Sequence, residues 1–121
     1  AFRMVMNGHS FVFTGDIGGA AERDILKRLA ERGDNGKAEV LKVGHHGSKH
    51  SSSEDWIGLL SPRLALISVG EHNTYGHPDR GVIDRLAREG ADVRRTDRSG
   101  EIQIETPYGR PLRIRTRLDD R

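Results

Sequence analysis

Short apolar runs and amphipathic segments alternate along most of the chain. The opening stretch FRMVMNGHSFVF predicts two short strands joined by Asn7-Gly8, because both residues tolerate the positive φ angles of a tight hairpin turn. Further apolar runs predict buried strands in EVLKV and LALISV and short strands in DVRRT, EIQIE and LRIRT. Turns are expected between the last three strands, at Ser99-Gly100 and Tyr108-Gly109.

Three segments have the apolar spacing of amphipathic helices. The first, GAAERDILKRLAERG, has its apolar positions on one stripe: Ala21, Ile25, Leu26 and Leu29. The second follows Ser52 or Ser53, either of which is a suitable N-cap for a helix through Trp56 and Leu60. The third opens at Pro78 and closes at Gly90. Its inward-facing positions are Val82, Ile83, Leu86 and Ala87.

These elements follow the order strand, helix, strand, helix, strand, helix, strand, with hairpin strands at both ends. Alternation of apolar strands with helices is typical of α/β layer packing. With 121 residues, 34% of them hydrophobic, the chain is long enough for one ordinary domain with a modest core. No repeat, low-complexity linker or interior boundary interrupts it, so we predict a single unit over residues 1–121.

Charge and composition narrow the classes of function. Charged residues make up 31% of the chain, but the formal net charge is only +2 and the signs are interspersed. A dedicated nucleic-acid binder has a more strongly basic surface. The absence of cysteine excludes disulfides and thiolate metal ligands. No apolar run is long enough to cross a bilayer and no signal peptide is visible, so we expect this stretch to be soluble.

Chemically reactive side chains gather at the ends of three predicted strands. Asp16 ends the first in FTGD, and His45 and His46 follow the second in VGHHGSKHSSS. The third strand runs into SVGEHNTYGHP, which contributes four polar side chains: His72, Asn73, Tyr75 and His77. Because functional groups collect at the carboxyl ends of strands in α/β sheets, these side chains meet at one rim if the strands point the same way.

A carboxylate and several imidazoles at one rim suit a divalent ion such as Zn²⁺ or Mn²⁺. Such an ion lowers the pKa of a bound water and so supplies hydroxide near neutral pH. Lys49 adds a positive charge to the same segment. Serines ahead of the next helix would face phosphate at its positive end: Ser48, Ser51 and Ser52. The residue types therefore predict a metal or phosphate site.

Each of these features also has a structural interpretation. An aspartate after Thr-Gly is typical of a turn or an N-cap, and adjacent histidines also occur on surfaces without binding a metal. Serines at 51–53 suit a helix cap, and the segment 73–78 suits a loop with an N-capping histidine. A non-catalytic module that positions DNA or a partner would use these residues structurally. These interpretations must hold at all three strand ends together, which favours the site.

The motifs FTGD, LKVGHHGSKHSSS, SVGEHNTYGHP and TDRSGEIQIET together resemble the C-terminal metallo-β-lactamase-like domain of ComEC-family bacterial DNA-uptake channels and their stand-alone relatives. The resemblance spans residues 2–106. It implies an αββα sandwich with two metal ions that activate hydroxide to hydrolyse phosphodiesters or other esters. By motif, Asp16 resembles the metal-bridging carboxylate. One of His45 and His46 resembles a ligand of the second metal, with the other behind it.

The same resemblance assigns substrate-facing roles. The NTYGHP motif resembles an active-site loop, in which His77, together with Asn73 and Tyr75, contacts substrate or stabilises developing charge. Lys49 is grouped with these three as a catalytic candidate. The implied function is a metal-dependent nuclease that degrades a single DNA strand during uptake. A hydrolase of small envelope phosphodiesters is an alternative on the same fold.

One part of the pattern of that superfamily is missing. Its leading metal motif, a His-x-(His/Asp)-x-Asp-His run, lies well upstream of TGD, whereas only 15 residues precede Asp16 and His9 cannot replace the run. We therefore expect the second half of such a domain, with little or no hydrolysis alone. An apolar sheet face would pair with the missing N-terminal half or with a second copy. The resemblance implies a soluble domain of a bacterial cell-membrane protein that also forms a transmembrane channel, without specifying the side of the membrane.

Overall fold

A mixed five-stranded sheet with helices on one face organises the chain. The computed structural model describes residues 2–15, 18–33, 36–48, 51–70 and 77–117. The strands are β1 (Phe2–Met6), β2 (His9–Phe13), β3 (Val40–Lys42), β4 (Leu64–Ile67), β5 (Asp92–Arg95), β6 (Ile102–Glu105) and β7 (Arg113–Thr116). The helices are α1 (Gly19–Glu31), α2 (Glu54–Leu60), α3 (Arg80–Arg88) and the short α4 (Thr96–Ser99), with a 3-10 turn over Gly44–Gly47.

The strands of the main sheet lie in sequence order, from β1 at one edge to β5 at the other. β1 is antiparallel to β2, whereas β2, β3, β4 and β5 are parallel neighbours. Four residues therefore lie side by side across the sheet: Val12, Leu41, Ala65 and Val93. This register brings the carboxyl ends of four strands to one edge, as an α/β sheet requires for a shared site. The predicted α/β class is confirmed.

The two faces of the sheet bury different partners. On one face, a core that includes Leu41 and Ala65 packs against Trp56 of α2 and Leu86 of α3, with Ile25 of α1 at its margin. On the other face, a smaller cluster of strand residues meets the β6–β7 ribbon; it comprises Phe11, Val40 and Leu64, with Ile104, Leu112 and Ile114 from the ribbon side. The chain's own β6–β7 ribbon thus covers part of this apolar face.

Local signals account for several element boundaries. Asn7 and Gly8 have φ angles of 51° and 81°, which confirms the predicted two-residue hairpin turn. Ser53 is the N-cap of α2, because its side chain accepts a hydrogen bond from the N–H of Trp56 at 3.3 Å. The predicted start of α3 at Pro78 is wrong: Asp79 is the N-cap, and it accepts from the N–H of Gly81 at 3.0 Å. An aspartate side chain can satisfy a free helical N–H, which proline cannot do.

Two predicted inward positions are wrong. Ala21 and Ala87 are exposed, although the neighbouring stripe residues of both helices are buried or half-buried. An alanine at the margin of a stripe has too little apolar surface to turn the helix toward it. None of the helices in the described part of the chain has the length and apolar character needed to cross a lipid bilayer.

Apolar side chains that remain exposed are concentrated on β1. Phe2 is 62% exposed, Val5 64% and Met6 46%. The ring of Phe2 stacks on Phe13 with a centroid separation of 4.8 Å, so even this exposed ring is partly anchored to the sheet. Because β1 is the edge strand, its apolar side chains lie where a further strand or chain would meet the sheet.

Candidate functional site

The TGD and HHG segments leave the sheet side by side. Thr14 follows β2 and is 1% exposed, and its Oγ1 donates a hydrogen bond to the carbonyl of Lys42 at 2.6 Å. Val43 follows β3, and its N–H donates to the carbonyl of Leu66 on β4 at 2.8 Å. The segments that follow β2 and β3 thus keep the side-by-side order of the strands. The two segments that carry Asp16 and the paired histidines therefore begin as neighbours.

Gly44 brings these two segments into direct contact. A Cβ atom at Gly44 would lie 2.9 Å from Oγ1 of Thr14 and 3.4 Å from the carbonyl oxygen of Gly15. Only a residue without a side chain allows this approach of two backbones. Asp16 follows Gly15 and His45 follows Gly44 in the chain, so the contact places the residues next to both predicted ligands against each other.

The segment that ends in HPD joins from the other side. A Cβ atom at Gly47 would lie 2.5 Å from Cβ of Pro78, and Gly47 has a φ angle of +78° that favours glycine. The N–H of Asp79 donates to the carbonyl of Gly47 at 2.7 Å. His77, half-buried, directly precedes Pro78. The HHG turn is therefore held between the TGD segment and the HPD segment.

A fourth motif, TDRSG, lies at the same edge of the sheet. The N–H of Val69, just beyond β4, donates to Oγ1 of Thr96 at 2.8 Å, and that hydroxyl donates to the carbonyl of Val69 at 3.0 Å. Arg95 and Asp97 flank Thr96 and form a largely buried ion pair, with an Nη2–Oδ2 distance of 2.6 Å. Thr96 thus fixes the start of the segment that leads from β4 into the predicted active-site loop.

Several predicted site residues lie outside the described residues. They are Asp16, Lys49, Asn73 and Tyr75, and also His72. His45 and His46 lie in the 3-10 turn, but the structure does not describe their side chains. Both therefore remain candidate ligands. Among the described residues, no group of three or more His, Cys, Asp or Glu side chains is placed to hold a metal ion.

The predicted phosphate-binding serines are buried and make internal contacts. Ser48, Ser51 and Ser52 are each no more than 3% exposed. The hydroxyl of Ser51 donates to the carbonyls of Gly44 at 3.2 Å and Ser48 at 3.1 Å, which ties the HHG turn to the start of α2. The phosphate role of the three serines stays a prediction, and their described contacts are structural.

The anion at the start of α2 is the carboxylate of Glu22. Glu22 is 1% exposed and accepts hydrogen bonds from the backbone N–H groups of Ser52 and Ser53, the latter at 3.0 Å. Glu22 was not among the residues predicted from the sequence. The spacing of the sequence indicated its inward position, because Glu22 lies three, four and seven residues before the members of the inward stripe of α1: Ile25, Leu26 and Leu29.

His9 lies at the opposite edge of the sheet, where β2 begins. Its Nδ1 lies 2.8 Å from Oε2 of Glu39, and its Nε2 lies 3.0 Å from the carbonyl oxygen of Pro107. The hydrogen bond to Glu39, with a second to Pro107, raises the pKa of His9 above its usual value, although burial opposes the shift. His9 ties the β6–β7 ribbon to the sheet and is remote from the candidate site.

Comparison with known proteins gives related sequences. ComE operon protein 3 of Bacillus subtilis is 43% identical over 100 residues, which is 83% of this chain and 12% of that protein. Competence protein ComA of Neisseria gonorrhoeae is 37% identical over 84% of this chain and 14% of that protein. Recombination protein 2 of Haemophilus influenzae is 36% identical over 79% of this chain and 11% of that protein. No protein-family model and no solved structure matches the chain.

The matches cover most of this chain but a small part of each relative. Identity of 36–43% over about a hundred residues reflects common ancestry of the matched segments. The chain spans 11–14% of the length of these curated relatives. It is therefore a homologue of one segment of ComE operon protein 3, Competence protein ComA and Recombination protein 2.

Proposed function

We propose that the chain is part of a metal-dependent hydrolase domain that acts on phosphodiesters, in a protein that takes part in DNA uptake. The role in DNA uptake is supported by the names of its relatives, two of which refer to competence or its operon. The proposed substrate is a single DNA strand, degraded during DNA uptake. The fold we propose for the whole domain is the αββα sandwich of the metallo-β-lactamase-like proteins.

The observation that carries this proposal is the meeting of three segments at one edge of the sheet. Gly44 packs on Thr14 and Gly15, and Gly47 packs on Pro78, so the segments that bear the carboxylate, the histidine pair and His77 are adjacent. In the structure the groups that reach this edge come from the carboxyl ends of parallel strands, where α/β enzymes carry their sites.

The donor set fits a divalent ion. One carboxylate from Asp16 and one imidazole from His45 or His46 are oxygen and nitrogen donors that Mn²⁺ and Zn²⁺ accept. An ion bound there would supply hydroxide near neutral pH by lowering the pKa of a bound water. A full dinuclear centre would need further ligands, which we propose come from the N-terminal half of the domain or from a second copy.

We also propose substrate-facing residues for this site. His77 lies next to the packed Gly47–Pro78 contact, where it can donate a proton or a hydrogen bond to a substrate oxygen. We propose that Asn73, Tyr75 and Lys49 act together with His77 on the substrate. In this proposal the parent protein also forms a transmembrane channel, and the side of the membrane on which the domain lies is left open.

Metal binding tests the first part of the proposal. Mn²⁺ and Zn²⁺ are titrated calorimetrically into the chain, into Asp16→Asn and into Asp84→Asn, a matched control at an exposed position of α3. We expect about one ion per chain with a dissociation constant in the micromolar range (about −8 kcal/mol), lost in Asp16→Asn and kept in Asp84→Asn. Separate His45→Ala and His46→Ala variants then identify the ligand. Equal binding by all variants, or no binding by a folded wild type, would overturn the proposal that this chain carries a metal half-site.

Substrate cleavage tests the second part. The full-length protein is incubated with Mn²⁺ and either labelled single-stranded DNA or bis-p-nitrophenyl phosphate, a small chromogenic phosphodiester. Faster cleavage of DNA, abolished by Asp16→Asn, supports a nuclease. Cleavage of the small ester alone supports the alternative, a hydrolase of envelope phosphodiesters. Retention of DNA without cleavage of either substrate supports a non-catalytic module that positions DNA.

A further inference from the structure

A buried carboxylate lies between the first and second helices. Glu22 is 1% exposed, in the first turn of α1, and each of its oxygens accepts a backbone N–H, from Ser53 at 3.0 Å and from Ser52. Burying a carboxylate is costly unless hydrogen bonds replace its water. The stability of the buried carboxylate therefore depends on the positions of these two N–H groups. The carboxylate in turn holds the two N–H groups in position.

Ser52, one of the two residues that Glu22 binds, is also bound by a residue of α3. Ser52 accepts a hydrogen bond at its carbonyl from Nε of Arg85, on α3, at 3.2 Å. Its backbone has a φ angle of +56°, which is strained for serine. A strained conformation persists when both sides of the residue are held. One residue thus links the three helices that follow the three candidate strand ends.

Hydrogen bonds join the two segments that carry the candidate metal ligands, both before and after those ligands. Before the ligands, Thr14 donates to the carbonyl of Lys42 at 2.6 Å. After the ligands, Glu22 accepts from Ser52 and Ser53. Asp16 lies between Thr14 and Glu22, and the histidine pair lies between Lys42 and Ser52. The described contacts therefore join these two parts of the chain at two places, Thr14 to Lys42 and Glu22 to Ser52 and Ser53.

We infer that Glu22 is a positioning residue for the candidate metal site, which clamps the segment of Asp16 to the segment of His45 and His46. The inference rests on the proposed function for its metal, but the clamp itself is defined by described contacts. Each oxygen of Glu22 accepts one backbone N–H group, so we assign it a role that acts through Ser52 and Ser53. It holds the start of α2 as a bound anion would, with the charge supplied by the chain itself.

The test compares Glu22→Gln with Glu31→Gln, the same change at an exposed position of α1. A glutamine amide accepts through one oxygen only, and its NH₂ group opposes the second N–H. We expect the amide of Ser52 or Ser53 to exchange with solvent about tenfold faster in Glu22→Gln. The amide of Val43, bonded within the sheet, serves as the internal reference. Glu31→Gln leaves all three amides unchanged.

Metal affinity provides the second readout. Loss of an outer residue that orients metal ligands weakens binding by about 10- to 100-fold, and we expect such a loss for Mn²⁺ in Glu22→Gln at unchanged stoichiometry. Faster amide exchange with unchanged affinity would overturn the positioning role, as would unchanged exchange. If the wild type binds no ion, the metal function fails separately, and exchange at Ser52 and Ser53 alone decides whether Glu22 clamps the segments. Should Glu22→Gln not fold, Glu22→Asp keeps the charge on a shorter side chain and is judged by the same readouts.

Discussion

Substitution of Gly44 by alanine tests the contact on which the candidate site depends. The added Cβ atom would lie 2.9 Å from Oγ1 of Thr14 and 3.4 Å from both Cβ of Thr14 and the carbonyl oxygen of Gly15. Gly44 does not have the positive φ angle found at Gly47, so the cost comes from crowding alone. Thr14 cannot withdraw freely, because it is buried and its hydroxyl is bonded to Lys42 at 2.6 Å.

The expected magnitude follows from overpacking. Extra methyl groups in well-packed sites cost about 1–3 kcal/mol, and we expect Gly44→Ala to lower the free energy of unfolding by that amount. Urea unfolding followed by tryptophan fluorescence measures it, since Trp56 is the single tryptophan and is 2% exposed. Gly58→Ala is the control. Gly58 lies within α2 in ordinary contact with its surroundings, so alanine there should stabilise by about 0.5–1 kcal/mol.

A double-mutant cycle identifies the atom responsible. Thr14→Ala removes the hydroxyl that a Cβ at Gly44 would meet, so the two substitutions should be coupled by about 1 kcal/mol or more, with the double variant more stable than the sum predicts. Strict additivity, or a Gly44→Ala variant as stable as the wild type, would refute the close approach of the TGD and HHG segments. The proposed site would then lose its main structural support.

Two further predictions concern the opposite edge of the sheet and the strained serine. The hydrogen bond to Glu39 raises the pKa of His9 above its usual value of 6.5. The stabilisation that His9 contributes should therefore be fully present below pH 6.5 and be lost as pH rises through the raised folded-state pKa. Urea unfolding across that range should show that the difference in free energy of unfolding between the wild type and His9→Phe becomes smaller as pH rises. A constant or growing difference would contradict this prediction. Ser52→Gly should raise the free energy of unfolding by about 1 kcal/mol, because it relieves a positive φ angle and removes a buried hydroxyl without a partner among the described residues. A loss of similar size in the same unfolding assay would contradict this prediction.

Elements defined by neighbouring residues were predictable from the sequence. The Asn7-Gly8 turn, the three main helices and the capping role of Ser53 depend on backbone sterics and on apolar spacing within one segment. The convergence of the TGD, HHG and HPD segments was predictable on one condition, that the strands run parallel. The register of β2, β3 and β4 meets that condition.

Contacts between distant segments were not predictable in the same way. Glu22 has the sequence context of a solvated acidic residue in a first helical turn, and its burial depends on N–H groups about thirty residues away. His9 pairs with Glu39 and with the carbonyl of Pro107, which is 98 residues distant in the chain. The β6–β7 ribbon covers Phe11 on a sheet face whose apolar character indicated only that something should cover it.

The sequence by itself determined the α/β class, the order of elements and the residues that collect at the strand ends, because these depend on local spacing and on the direction of parallel strands. The tertiary structure decided which anion lies at the start of α2, which glycines are needed for close approach, and how the ribbon is attached. Those outcomes depend on the distance between atoms of segments that are far apart in the chain. A buried polar group is stable only where its partner is supplied, and that partner exists only once the chain has folded.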